Sequence, residues 1–372
     1  MTSKKIESIQ LFRGIAVLMV IAFHFRQYLN GVYAQNDLGD RLFGLGEMGV
    51  DIFFVISGFI IVYSSKNALA NTAFEFSIKR FFRLYPVYII TFAFLLVADY
   101  STNHSNSDII KSSFLIPNDY NFIGPWYGYS INLPAWTLTY EVLFYAVFAI
   151  SISISHKYRS IISMFLLVSL CCLSQLYFRG FLQIDPITRD TVSYSAINNL
   201  VFTSNPIVYD FIFGVILGEA YIRYSERISA IAGMKPFLII TLMISAMIMF
   251  SGFNRGAGIE RWGLMSFVLV GSLLFYERVS QLKCNSVLVY VGELSYSLYI
   301  NHMIVKKLSG IYLKGAGIYH ANGGITLFVI LFGLTFVMSI ITYHLIEKPS
   351  VRLGHAIAKT IMKRNASPSL SA

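Results

Sequence analysis

Charged residues are scarce in this chain. Asp, Glu, Lys and Arg make up 13% of its 372 residues, whereas hydrophobic residues make up 56%. Soluble domains carry about 25% charged residues, so the composition excludes an ordinary soluble protein and indicates a membrane protein with many spans. The net charge of +10 could suggest a nucleic-acid partner. We predict none, because basic cytoplasmic loops explain such a surplus in a membrane protein.

Cysteine and clustered histidine are scarce as well. Cys171 and Cys172 are adjacent in an apolar run and Cys284 lies in a basic loop, so no disulfide framework is expected. The histidines are scattered without ligand spacing, so we predict no metal site. No small-x-small cleavage site follows the first apolar run, which Arg13 interrupts. We therefore expect that run to be an uncleaved span and not a signal peptide.

Long apolar runs dominate the rest of the chain, and runs of about 17–22 residues cross a hydrocarbon core of about 30 Å. With the N-terminus in the cytoplasm, the inner segments hold 18 Lys and Arg residues and the outer segments 10. The positive-inside rule therefore predicts an all-α polytopic membrane protein with about ten transmembrane helices and both termini cytoplasmic. The predicted spans are residues 11–29, 48–65, 85–99, 135–155, 160–178, 206–222, 236–252, 262–276, 287–305 and 324–345.

The segments between the spans indicate a single domain. The outer segments 100–134 and 179–205 are polar loops with aromatic residues, and no repeat of fixed period or soluble domain is found. We therefore predict one transmembrane domain over residues 1–350, followed by a short basic cytoplasmic tail over residues 351–372.

Two ionisable residues lie in the first span, Arg13 near its start and His24 deep inside it. Each costs about 3 kcal/mol in a membrane, and such residues commonly mark function. Their spacing places them on one helix face, about 16 Å apart along the axis. We predict a functional role for both; the alternative for His24 is a buried histidine bonded to a neighbouring helix.

Other polar residues reach the predicted depth of His24. His24 lies about 20 Å into an outward span, and Glu141 lies about 9 Å below the outer face of an inward span. We therefore predict a pair in which Glu141 orients His24 as a general base; a structural helix–helix bond is the alternative for Glu141. Asn301 and His302 reach a similar level and Asp51 enters the second span from outside, which predicts a polar, substrate-binding layer.

Further candidate ligand-binding residues lie at span ends. Arg80 and Arg83 are three residues apart on one helix face at the cytoplasmic side. Guanidinium groups suit the phosphates of coenzyme A, although such arginines also anchor helices to anionic lipid. Trp136 could stack on a sugar ring, or belong to the interfacial aromatic belt.

Several motifs occur in a defined order along the chain. The Arg13-x10-His24 pair is followed by GVDIFFVISGF at 49–59, KRFFRLYP at 79–86, WTLTYEVLFY at 136–145, GELSYSLYINH at 292–302 and IEKP at 346–349. Their order and spacing resemble the membrane acyltransferase-3 family over nearly the whole chain. Thr137 stands where that family is expected to have Ser, and it keeps the hydroxyl.

The resemblance implies a membrane O-acyltransferase of the bacterial inner membrane. Such proteins move an acyl group, most often acetyl, from cytoplasmic acyl-CoA to a hydroxyl of O-antigen, exopolysaccharide or a related lipid-linked glycan. It implies acetyl-CoA as the donor, with His24, Glu141 and Arg13 catalytic and Arg80 and Arg83 binding the donor.

Two rival interpretations remain. A proton-coupled transporter or exporter of glycan or small solute would use Arg13, His24 and Glu141 as a relay. The sequence shows no matching pair of interrupted helices in two halves, as transporters often do. A membrane scaffold without chemistry leaves the ionisable residues inside the spans unexplained.

Overall fold

The computed structural model describes residues 6–67, 72–99, 102–128, 130–188, 196–253, 255–280, 282–315 and 323–366, and these ranges contain no β-strand. The α-helices in these ranges are α1 (Glu7–Phe25), α2 (Leu38–Phe43), α3 (Gly49–Ser64), α4 (Ala73–Ala98), α5 (Asn106–Ser113), α6 (Trp136–Ile154), α7 (Arg159–Arg179), α8 (Val208–Ser229), α9 (Met234–Phe250), α10 (Leu264–Ser280), α11 (Ser286–Glu293), α12 (Ser295–Gly315), α13 (Gly324–Thr342) and α14 (Lys348–Ala366).

All ten predicted spans coincide with helices. Within the described ranges, seven helical stretches are long and apolar enough to cross a membrane. They are Glu7–Leu29, Leu38–Ser64, Ala73–Ala98, Leu133–Ile154, Arg159–Arg179, Ile259–Ser280 and Gly324–Ile361. The three remaining predicted spans match α8, α9 and the α11–α12 segment. The fold is therefore that of an all-helical membrane protein.

The predicted continuous span 287–305 is wrong in one respect, because the helix breaks at Leu294 between α11 and α12. The backbone of α11 is pressed against α1: a Cβ at Gly292 would lie 1.9 Å from the carbonyl oxygen of Gln10. After the break, α12 continues along α13. This contact between backbones, which only glycine permits, determines the path of α11.

Helix α14 crosses the boundary predicted at residue 350. The chain is helical through Ala366, and α14 packs along α4, so the segment predicted as a tail begins as part of a packed helix. Residues 367–372 lie outside the described ranges.

Polar groups fix where α1 and α4 begin. The Glu277 carboxylate of α10 accepts hydrogen bonds from the backbone N–H groups of Glu7 and Ser8, each at 3.0 Å, so a negative charge lies at the N-terminus of α1. At α4, Thr72 and Glu75 form a reciprocal capping box.

Helix contacts give the relative directions of the elements around α4. The Tyr296 hydroxyl donates to the Leu84 carbonyl at 2.7 Å, and farther along both helices the Tyr312 hydroxyl donates to that of Ala98 at 3.0 Å. Helix α12 therefore runs parallel to α4. Phe76, early in α4, packs on Phe148 of α6 with ring centroids 5.4 Å apart, whereas the hydroxyl of Tyr88, farther along α4, lies 3.3 Å from that of Ser130, which precedes α6. Helix α6 therefore runs antiparallel to α4.

Helix α1 lies between two parts of the bundle. On one side it contacts α11, α12 and α13, and on the other it contacts α3 and α10. Helix α3 in turn packs closely on α8, because glycines face each other at the crossing. A Cβ at Gly214 would lie 2.0 Å from the carbonyl oxygen of Val55, and one at Gly58 would lie 2.2 Å from that of Phe211.

Candidate active site

A cavity of about 500 Å³ lies at the end of the bundle where α1, α4 and α12 begin and α3 ends. In the predicted orientation this is the cytoplasmic end. Its wall is largely apolar and tyrosine-rich, and it includes three of the predicted site arginines together with Glu141. The arginines are Arg13, Arg80 and Arg83.

The three arginines have different partners. Arg83 forms an ion pair with Glu347 at 2.5 Å, and the Ser297 hydroxyl donates to the other oxygen of that buried carboxylate at 2.6 Å. Arg80 instead donates to the Ser64 hydroxyl at 2.5 Å, and Arg13 to the Gln10 amide oxygen at 3.2 Å. Arg83 is thus neutralised by a carboxylate, whereas Arg80 and Arg13 are held by uncharged groups and keep positive charge at the cavity wall.

Glu141 belongs to this cavity. Its carboxylate accepts a hydrogen bond from the Tyr145 hydroxyl and a longer one, 3.5 Å, from the Ser57 hydroxyl. Tyr145 lies one helical turn after Glu141, so the two side chains share a face of α6. The acid therefore lies at the level of the arginines.

His24 lies beside His302, with ring centroids 5.1 Å apart. His302 is fully buried, and its Nδ1 lies 2.7 Å from the carbonyl oxygen of Tyr299. A carbonyl can only accept, so we assign the proton of His302 to Nδ1, which leaves Nε2 as an acceptor. The Lys306 ammonium donates to the carbonyl oxygen of His24 at 2.7 Å, placing a positive charge in the last turn of α1, where the helix dipole favours it.

Tyr299 separates the histidine pair from the cavity. It lines the cavity, its ring centroid lies 5.8 Å from that of His302, and its hydroxyl accepts a hydrogen bond of 3.0 Å from Thr137. Phe53 packs against the same ring at 5.9 Å. The histidine pair therefore lies just beyond the end of the cavity, next to the Tyr299 ring.

The predicted His24–Glu141 pair is not formed in the described structure: no hydrogen bond or ion pair joins the two residues, and each has other neighbours. The depth argument failed because α6 does not begin at the outer membrane face. Asn132, just before α6, donates to the carbonyl of Ile300 at 3.4 Å, near the start of α12. Glu141 was expected at the level of His302, and it lies about 9 Å from that level, toward the arginine end of the bundle.

The remaining predicted substrate-binding residues lie outside the cavity wall. Asn301 is buried and donates to the Thr342 hydroxyl at 3.0 Å, a bond between α12 and α13. Asp51 is buried between α3 and α8 beside Asp210 and accepts from the backbone N–H of Gly258 at 2.9 Å. Trp136 packs edge-to-face on aromatic neighbours, including Phe54 at 6.4 Å. Of the predicted substrate-binding group, only His302 lies next to a predicted catalytic residue.

Comparison with known proteins decides the family. The family model described as an acyltransferase domain matches residues 6–344. The chain belongs to the acyltransferase-3 family. It is an acyltransferase, and the three cavity arginines, Glu141 and the histidine pair all lie within the matched region.

Relatives of this acyltransferase include the exopolysaccharide production protein ExoZ of Rhizobium meliloti (strain 1021), which is 26% identical over 321 residues, or 84% of this chain and 92% of that protein. A Staphylococcus aureus (strain COL) protein with the provisional name O-acetyltransferase is 24% identical over 92% of this chain and 56% of its own length. The chain thus spans little more than half of that relative. The acyltransferase MdmB of Streptomyces mycarofaciens is 26% identical over 39% of this chain and 38% of its own length. No solved structure matches.

Two polar neighbours in this acyltransferase were not predicted from sequence, Tyr145 beside Glu141 and Lys306 beside His24. Both carry a detectable signal, because Tyr145 follows Glu141 by four residues and Lys306 follows His302 by four. The partner of Glu347, which belongs to the IEKP motif, is Arg83, one of the two arginines predicted at the cytoplasmic side.

Proposed function

We propose that this acyltransferase moves an acyl group, acetyl being the commonest in its family, from cytoplasmic acyl-CoA to a hydroxyl of a surface glycan. The observation that carries the proposal is the arrangement of a cationic cavity that ends at Tyr299, with the His24–His302 pair directly behind that ring. Such a cavity suits a long donor that bears phosphates at one end and a reactive thioester at the other.

The donor enters this arrangement with its phosphates toward Arg80 and Arg13. Both guanidinium groups line the cavity and neither is bonded directly to a carboxylate, so an incoming phosphate gains charge-assisted hydrogen bonds from them. Arg83 acts by orienting α4 through Glu347. The apolar and tyrosine-lined part of the cavity then accommodates the acyl-pantetheine arm, with the thioester nearest Tyr299.

His24 acts as the general base. Its side chain is partly exposed, whereas His302 is fully buried with its tautomer fixed by the Tyr299 carbonyl. As the acceptor hydroxyl oxygen bonds to the thioester carbonyl carbon, the imidazole takes the hydroxyl proton. The C–S bond breaks, and the proton passes to the departing thiolate. His302 positions the His24 ring, and Glu141 belongs to the donor cavity.

The acceptor and the topology complete the proposal. A relative whose name refers to exopolysaccharide production favours a glycan acceptor, such as exopolysaccharide, O-antigen or a lipid-linked precursor. We place about ten spans in the bacterial inner membrane with both termini cytoplasmic, so that the arginine cavity opens toward cytoplasmic acetyl-CoA. Residues 1–350 then contain the chemistry, and residues after 350 lie on the cytoplasmic side.

The first test measures transfer of radiolabelled acetyl from acetyl-CoA to the glycan fraction of membranes from cells that lack the protein, complemented with variants. We expect His24→Ala to reduce the rate at least about 100-fold, because a positioned base contributes that much or more. The control is His344→Ala, an exposed histidine that contacts Tyr290. Wild-type transfer by His24→Ala would refute the mechanism. Absence of any transfer by the wild type, with glycan movement across vesicles instead, would favour a transporter.

A further inference from the structure

Helix α14 presents a row of basic residues beside the cavity. Arg352, His355 and Lys359 are spaced three and four residues apart, which puts them on one helix face, and all three are exposed. From Lys348 to Ile361, where its side chains are described, the helix has no acidic residue. A helix face of this composition attracts anions.

Contacts with α4 place α14 at the mouth of the cavity, and the basic row lies on the helix face next to Val351, with His355 nearest to it. The Ser350 hydroxyl donates at 2.9 Å to the carbonyl of Phe82, which is freed because Pro86 has no N–H to bond it. Gly354 packs on the same residue so closely that a Cβ there would lie 2.6 Å from the Phe82 side chain. Val351, between the two, lines the cavity itself. The position of α14 on α4 is therefore fixed by two close contacts.

One basic residue of α14 lies close to the cations of α4. His355 is near both Lys79 and Arg80, and Arg80 is one of the two cavity arginines with an uncharged partner. Within the described part of the chain, neither Arg352 nor Lys359 forms an ion pair with an acidic side chain. An anion bound beside these basic residues therefore gains favourable charge interactions.

We propose that Arg352, His355 and Lys359 of α14 bind the nucleotide end of acyl-CoA, with its 3′-phosphate as the principal anion. This rests on the proposed function and extends it: the slender pantetheine arm occupies the cavity past Arg80, while the bulky phosphorylated nucleotide remains outside on α14. The same cations could instead hold lipid phosphate, and the experiment separates the two sources.

The test compares acetyl-CoA with acetyl-dephospho-CoA, which lacks only the 3′-phosphate, using protein in nanodiscs of neutral lipid. For the wild type we expect KM to be about tenfold higher for the dephospho donor, the effect of one lost charge-assisted contact. In the Arg352→Gln/Lys359→Gln variant, KM for acetyl-CoA should rise about as much while KM for the dephospho donor and kcat stay unchanged. The matched control is Lys157→Gln/Arg227→Gln, which removes two exposed cations elsewhere.

A second readout does not depend on catalysis. Binding of CoA and dephospho-CoA to the same proteins, measured by isothermal titration, should show the same loss of discrimination in the α14 variant. If the wild type binds CoA with discrimination but transfers no acetyl group, the proposed function fails and this site stands. If the wild type does not discriminate, or if the variant differs from it only in nanodiscs with anionic lipid and equally for both donors, the face is a lipid anchor and this inference is wrong.

Discussion

The Glu141 carboxylate lies in the wall of the arginine cavity. It is held by Tyr145 and Ser57 on the same wall as the arginines, so its negative charge lies close to their positive charges. His24 has a neutral imidazole and an ammonium group for neighbours. The proposed base therefore has no carboxylate partner in the described structure.

This predicts that Glu141→Gln does not move the pH midpoint of the acid limb of kcat. A carboxylate in direct contact with an imidazole would favour its charged form, and losing it would move that midpoint down by about one pH unit or more. The amide preserves an acceptor for Tyr145, which limits structural damage. Rates measured across pH 5–9 for the wild type, Glu141→Gln and the exposed control Glu226→Gln test this. A downward shift of the midpoint in Glu141→Gln alone would show that Glu141 does contact His24.

At the scale of elements, the α3–α8 crossing depends on two glycines. Helix backbones approach this closely only where neither residue has a Cβ, and Gly214 leaves no room for one beside the Val55 carbonyl. Ser57, next to Gly58, projects into the cavity, so the spacing of these helices also sets one wall of the site.

We expect Gly214→Ala to destabilise the protein by about 1–3 kcal/mol, the usual cost of forcing extra volume into a packed interface. The matched control is Gly333→Ala in α13, where an added Cβ meets nothing within 4 Å. That change should be neutral or stabilising by up to about 1 kcal/mol, because alanine favours helix over glycine. Thermal unfolding in detergent measures both, and equal effects would contradict the close approach.

The helices themselves could be predicted from the sequence, but their relative depths in the membrane could not. Runs of apolar residues locate each span because any exposed backbone in lipid must be helical. How deep a helix begins is set by its neighbours: Asn132 bonds to Ile300, so α6 begins inside the bundle and carries Glu141 away from His24. The partnership of Arg83 with Glu347 was predictable because a buried carboxylate needs a cation. The His24–His302 contact was predicted only in part, because the sequence placed both histidines at a similar depth but did not predict that they touch.

For the whole molecule, the distribution of basic residues predicts which end faces the cytoplasm. Single cysteines at the exposed positions Asn103 and Lys157, in a background with the native cysteines replaced by alanine, report this directly. We expect a membrane-impermeant maleimide to label Asn103→Cys in intact spheroplasts and Lys157→Cys only after permeabilisation. The opposite pattern would put the arginine cavity on the outside, where no acyl-CoA is found.

A protein with a cavity on one side of a membrane and a polar site deeper in the bundle must also prevent ions from leaking through it. Each elementary charge crossing 100 mV dissipates about 2.3 kcal/mol, so a continuous water path through the molecule would drain the proton-motive force. Tyr299 lies between the cavity and the histidine pair. Its hydroxyl accepts a hydrogen bond from Thr137, its carbonyl accepts one from His302, and Phe53 packs against its ring. We therefore expect Tyr299, which ends the arginine cavity, to act also as a seal against ion leakage at this point.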